Sequence, residues 1–175
     1  MMWRHFSTIG LTKSTHTIYA RTMVRRRLFL AAPLALTGLQ ARAQDVTFER
    51  STLVVVTAAR EIKFDIELAL NDVQRSRGLM FREKMGPYEG MLFDFHREQP
   101  VSFWMKNTLI PLDMIFIAAD GTIRHIHANA VPKSEETIPS GGHAVRGVLE
   151  INGGSARLLG IKPGDKVKHA IFGNA

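Results

Sequence analysis

The chain contains no cysteine. Disulfides, thiolate nucleophiles and cysteine-bound metals are thereby excluded, and an exported form must be held by its core alone. Acidic residues are missing from the first 43 positions, although the whole chain carries 16. Long apolar runs are missing too. The longest candidate, Leu28–Leu36, falls far short of the roughly 20 residues that a membrane-spanning helix needs. No nucleophile elbow, phosphate loop or His-x-x-x-His metal signature occurs, and there is no internal repeat, low-complexity tract or interdomain linker.

The charge that is present lies in one place. Of 23 Lys and Arg, seven fall in residues 1–43, which leaves 16 basic residues to balance 16 acidic ones from Gln44 onward. The pI near 10.1 therefore describes a leader and gives no ground for a nucleic-acid partner. Within that leader, Arg25-Arg26-Arg27 forms a cationic head and Leu28–Leu36 an apolar segment. Ala41-Arg42-Ala43 completes it as a small-x-small cleavage signal. Arg26-Arg27-x-Phe29-Leu30 also resembles the twin-arginine export signal; an ordinary secretory leader rich in arginine reads the same way. Residues 1–22 resemble neither signal nor domain, and Met23 is a plausible start. The expectation is an export signal over residues 1–43, a periplasmic or secreted location, and membrane contact only in transit.

Residues 44–175 are enough for one domain with a real core. They read mostly as β. Thr52–Thr57 is a β-branched run, and in Glu61–Leu70 the residues Ile62, Phe64, Ile66 and Leu68 alternate with polar neighbours. Asn71 or Asp72 caps a short helix to about Met80. Met91–Phe95, Val101–Lys106, Met114–Ala118, Ile123–Ala128 and Ala144–Ile151 are further strands, with Asp120-Gly121 as a hairpin turn. Gly153-Gly154 opens a second short helix, and Lys166–Phe172 is the last strand. Seven to eight strands with two short helices predict a single mainly-β domain, either a β-sandwich or a partly open barrel.

Six motifs then appear in order: Arg77–Arg82, Glu89–Phe93, Phe103–Thr108, Pro111-Leu112-Asp113, Val148-Leu149-Glu150 and Gly160–Asp165. Together they resemble the bacterial and archaeal family called domain of unknown function 192, over roughly residues 60–172. The resemblance implies a mainly-β, sandwich-like domain that is frequently exported. It implies no established activity, no cofactor and no catalytic residues.

Function is therefore read from side chains. On a strand, Trp104 and Lys106 share a face opposite Phe103 and Met105, with Asn107 at the strand end and Asp113 beyond the Pro111 turn. An aromatic platform beside a cation, an amide and a carboxylate suits a small saccharide or carboxylate of the cell envelope. Glu150, Arg82 and His127 are placed to complete the set. Against this stands a purely structural reading, with Lys106 paired to Asp113 or Glu150 and Trp104 covering the sheet. The same pocket would serve a hydrolase or lyase if Asp113 or Glu150 acted as general acid or base across a cleft. Met80, Met85, Met91, Met105 and Met114, with His96, form a possible Cu(I) donor set, though methionine is also ordinary core filler. His125 and His127 share a strand face and would need a third ligand, His143 or Glu135, to hold zinc. Gly153-Gly154 before a helix offers backbone N–H groups to an anion. A structural or interaction protein of the envelope is the remaining class; it predicts an exposed apolar patch and no pocket.

Overall fold

The computed structural model describes residues 45–175, so the expected leader and its boundary lie outside the described residues. The period-2 segments become strands where expected. β1 (Glu49–Val56) and β2 (Glu61–Ala69) form a hairpin in which Leu53, Val55, Phe64 and Ile66 turn inward. Helix α1 (Asp72–Arg77) is capped by Asn71, whose side chain accepts from the Gln74 N–H while Gln74 reaches back to the cap. It ends at Arg77, three residues before the expected end, because Gly78 leaves the helical region with φ of 45°. The α1 crossover lets β3 (Glu89–Gln99) run parallel to β2; the other strand pairs are antiparallel.

The short β4 (Ser102–Phe103) and β7 (Ile138–Pro139) pair with each other. β5 (Leu112–Ile117) and β6 (Ile123–Ala130) flank the Asp120-Gly121 turn, in which Gly121 takes φ of 81°. β8 (Val145–Asn152), helix α2 (Ser155–Leu159) and β9 (Lys166–Lys168) complete the domain with a final 3₁₀ turn, Ala170–Phe172. The last strand is thus shorter than expected.

Seven strands form one sheet in the order β6-β5-β8-β3-β2-β1-β9. The sheet curls until its two edges touch. The Val167 N–H donates to the Gly121 carbonyl at 2.8 Å and the Ile123 N–H to the Asp165 carbonyl at 2.9 Å. The result is a curled half-barrel, the partly open barrel of the two expected architectures. One buried cluster draws on all seven strands, through Leu53, Phe64, Leu92, Ile115, Ile123, Leu149 and Val167, and fills the curl. A second lies on the other face of β3, β8 and β5, around Phe93, Met114 and Phe116, and is covered by Leu79, Val101, Met105 and Ile138. Because side chains alternate across a strand, each residue of these strands belongs to one face or the other. That choice decides the site.

Candidate functional site

The register places one row of side chains across the second face. Glu67 of β2 is paired with Met91 of β3, Met91 with Glu150 of β8, Glu150 with Met114 of β5, and Met114 with His127 of β6. Strands about 4.8 Å apart make these successive neighbours. Glu150 thus stands between two buried thioethers, inside the apolar run Val148–Ile151 of β8. It is 4% exposed. Its carboxyl has no hydrogen bond or ion pair among the described residues, and burial pushes it up to about 8. No fully enclosed side-chain oxygen lacks a partner among those residues, so the unpaired Glu150 oxygens open onto free space.

That space is a cavity of about 360 Å³. Phe93, Phe95, Phe103 and Trp104 give it aromatic walls, joined by Leu79, Met80 and Thr108, with Glu150 also lining it. The rings brace one another edge to face, Phe93 on Phe103 at 5.1 Å and Phe95 on Phe103 at 6.2 Å between centroids. Gly90 allows β3 to approach β8 here, since a Cβ on it would lie 2.6 Å from the Glu150 carbonyl oxygen. Trp104 is 49% exposed. Lys106 lies over its indole, with Nζ 5.1 Å from the ring centroid, and pairs with Glu135 at 3.7 Å. The shared face of Trp104 and Lys106 therefore holds, although the strand ends at Phe103 and the segment beyond it turns. The structural reading that paired Lys106 with Asp113 or Glu150 does not.

Asn107 serves the rim indirectly. It takes φ of 57°, accepts the Phe81 N–H on its carbonyl at 2.9 Å, and directs its amide at the Met80 sulfur, 3.9 Å away. Phe81 also has positive φ, 64°. Two non-glycine residues in the left-handed region are thus bonded to each other beside the cavity, a conformation that costs energy and must be held by its surroundings. Arg75 and Arg77 line the opening. Arg75 is fully engaged: it donates to the Leu70 and Asp94 carbonyls and pairs with Asp72. Arg77 has no acidic partner among the described residues and packs against the Phe81 ring at 4.8 Å.

The structure does not bring Asp113 or Arg82 into this cavity. Asp113 precedes Met114 in β5 and so faces the other side of the sheet from Glu150, which removes the expected acid–base pair. Its carboxylate accepts backbone N–H groups from Asn129 at 2.8 Å, Gly154 at 2.9 Å and Ala156 at 2.8 Å. The start of α2 does hold an anion, through Gly154 and Ala156 while the Gly153 N–H donates to the Pro111 carbonyl, and the anion is the protein's own Asp113. Arg82 pairs with Glu67 and lines a separate, charged hollow of about 330 Å³ with Arg50, Asp65 and Glu89.

The metal readings fare differently. Met91, Met105 and Met114 are fully buried core, and of the five methionines Met80 alone lines the cavity. His96 turns to Asp94 and the Leu70 carbonyl instead. The His125 imidazole is held below its ordinary pKa by burial and by nearby His127 and His143. Yet no three His, Asp or Glu among the described residues are grouped to hold a metal. One Ser–His contact also occurs, Ser51 Oγ to His169 Nε2 at 3.0 Å. His169 Nδ1 accepts the Ile171 N–H, and burial holds the ring below its ordinary pKa. Its single proton therefore sits on Nε2 and is donated to Ser51, the wrong tautomer to activate a nucleophile.

Sequence reasoning missed Arg77, Leu79 and the phenylalanine walls, and read Met80 as a copper donor rather than as a cavity wall. The available signal was Glu150 itself, one ionisable residue inside the apolar run Val148–Ile151.

The chain belongs to the DUF192 family, described as an uncharacterized conserved family ("Uncharacterized ACR"), which matches residues 54–169. None of the curated proteins matches the chain. A crystal structure of a protein from Sinorhizobium meliloti 1021, described as a candidate transcription regulator, is 48% identical. The alignment covers 73% of this chain and 98% of that one with a TM-score of 0.70. A protein of unknown function from Novosphingobium aromaticivorans DSM 12444 is 40% identical, with coverage of 71% and 94% and a TM-score of 0.67.

Proposed function

We propose that this domain binds a small ligand in the Glu150 cavity and that the ligand is a carboxylate with a largely apolar body. The observation that carries this reading is the unpaired Glu150 carboxyl facing an aromatic cavity. A buried carboxyl left without a partner destabilises the fold, and a ligand group that reaches it gains what the protein lacks. A saccharide fits less well. Its several hydroxyls would be desolvated against walls whose deep polar groups are Glu150 and Thr108, leaving most of them unpaired. An apolar body packs on Phe95, Phe103 and Trp104, and a carboxylate at the opening meets Arg77.

A second reading has its own observation. A carboxyl with a pKa near 8 is poised to give or take a proton at neutral pH, as a general acid or base must. Glu150 alone would fill that role, since Asp113 is occupied. The cavity argues against a purely structural role. The regulator description of the Sinorhizobium protein is not carried over: from residue 44 the formal charge is balanced, and α1 and α2 span six and five residues, too short to act as a groove-reading helix. Export to the periplasm or beyond, by the leader in residues 1–43, is part of the same proposal.

The test is a thermal-shift and calorimetric screen of residues 44–175 against small aromatic and aliphatic carboxylates and against envelope saccharides. A carboxylate that binds the wild type, and binds Trp104→Ala at least tenfold more weakly, supports the reading. Saccharide binding with no carboxylate binding overturns it. Turnover lost in Glu150→Gln while binding persists would establish the enzyme reading.

A further inference from the structure

The proposed binding site leaves open what its deepest group recognises. Resting on that binding reading, we propose that the buried end of the ligand is a cation, an ammonium, amidinium or guanidinium group, so that the whole molecule is a small zwitterion.

Three features of the cavity converge on this. The first is the missing partner. Every other buried carboxylate is matched: Asp113 by three backbone N–H groups, Asp94 by Arg146 and the His96 N–H, and Asp165 by the Lys162 N–H. Glu150 is matched by nothing, and a buried charge is tolerated only when paired. The second is the surround. Phe93, Phe95, Phe103 and Trp104 ring the cavity, and aromatic faces attract cations once water is excluded. The protein's own cations already use the outer rings this way, Arg75 over Phe95 at 5.6 Å and Lys106 over Trp104 at 5.1 Å. The third is the charge facing Glu150 from each element packed against it. β3 and β5 offer only Met91 and Met114, and His127 lies beyond Met114. From α1, Arg75 is neutralised by Asp72, while Lys106 is neutralised by Glu135. Of the cations that line the cavity or lie over its rings, Arg77 alone has no acidic partner among the described residues, and it sits at the opening, where the ligand's carboxylate belongs.

A cation can enter only as Glu150 gives up its proton. Binding is then coupled to proton release, and affinity rises with pH until Glu150 is ionised in the free protein, near pH 8. A neutral donor–acceptor group such as an amide uses the protonated carboxyl instead, and its affinity stays level and then falls above that pH.

Calorimetry on the wild-type protein with 4-amidinobenzoate and 4-carbamoylbenzoate tests this. The pair shares ring and carboxylate and has nearly the same shape, and it differs at the other end, where a cationic donor replaces a neutral donor–acceptor group. The expected result is tighter binding of the amidine, by tenfold or more at pH 8, with affinity rising up to tenfold per pH unit between pH 6 and 8. Heats should differ between buffers of different ionisation enthalpy by about one released proton. Glu150→Gln, an uncharged isostere of the protonated acid, should erase the preference and its pH dependence. Equal or better binding of the carbamoyl compound, without proton release, overturns the cation assignment and leaves the carboxylate reading standing. Failure of both compounds to bind at millimolar concentration overturns the two together.

Discussion

Asp113 and Glu150 are both buried acids, one register step apart in adjacent strands, at 0% and 4% exposure. Their surroundings are opposite. Asp113 faces the interior of the curl, and three backbone N–H groups from β6 and the start of α2 close around it. Glu150 faces the other side and meets only thioethers, aromatic rings and a cavity. The comparison separates two uses of the same side chain. A carboxylate given every hydrogen bond it can use is part of the architecture. One held in an equally dry place with none is kept there at a cost in stability, which is the mark of a functional position.

The contrast can be broken from either side. The largest effect belongs to Asp113→Ala, which strands three backbone donors and should cost about 3 kcal/mol or more in urea denaturation. Asp113→Asn, which retains one accepting oxygen, should cost less. A loss under 1 kcal/mol for the alanine variant would mean that the N–H cluster finds other partners.

Glu150→Gln should act in the reverse direction, and with a pH signature. Folded Glu150 holds its proton up to about pH 8, whereas the unfolded residue loses it near the ordinary glutamate value of 4.5. Between those values the folded state binds more protons, so wild-type stability falls as pH rises, by at most about 1.4 kcal/mol per unit, and levels off above pH 8. Denaturation at pH 5, 7 and 9 should show the Gln variant nearly level and more stable than wild type at pH 9. Parallel curves for the two proteins would remove the desolvated carboxyl from the account.

Smaller effects sharpen the distinction between cavity and scaffold. Asn71→Ala removes the α1 cap that supports the Arg75 and Arg77 side of the opening, and should cost about 1 kcal/mol. Lys106→Ala breaks an exposed pair with Glu135 and should change stability by no more than about 0.5 kcal/mol. If Lys106→Ala costs as much as the cap, the indole contact is a structural clamp rather than a feature of the binding surface.

Much of this was legible beforehand. The alternation in Glu61–Leu70 and the Asp120-Gly121 turn give β2 and the β5–β6 hairpin directly, and Trp104 and Glu150 do meet at one cavity. Asp113 could not be placed that way. All six residues of β5 are buried, so no polar alternation marks which face each side chain takes. Only the register with β8, set by residues nearly forty positions away, decides it. Arg82 fails for a similar reason. Its partner Glu67 lies on β2, and the crossover through α1 that brings them together leaves no local signature. The segment after Phe103 reads as strand by composition but turns at Asn107, where a side-chain contact and a backbone bond to Phe81 hold a left-handed residue.

The seam where the sheet meets itself also dictates an order of events. β9 hydrogen-bonds to β1, and the residues leading into it bond to the turn that opens β6, so one three-residue strand fastens both free edges. It is also the strand synthesised after all the others. Until it arrives, β1 and β6 are both unpaired edges, open to association with other chains. The six earlier strands of the large sheet must therefore wait, partly assembled, for Lys166–Lys168 to join its two edges. Removal of that short segment should leave a β domain that aggregates.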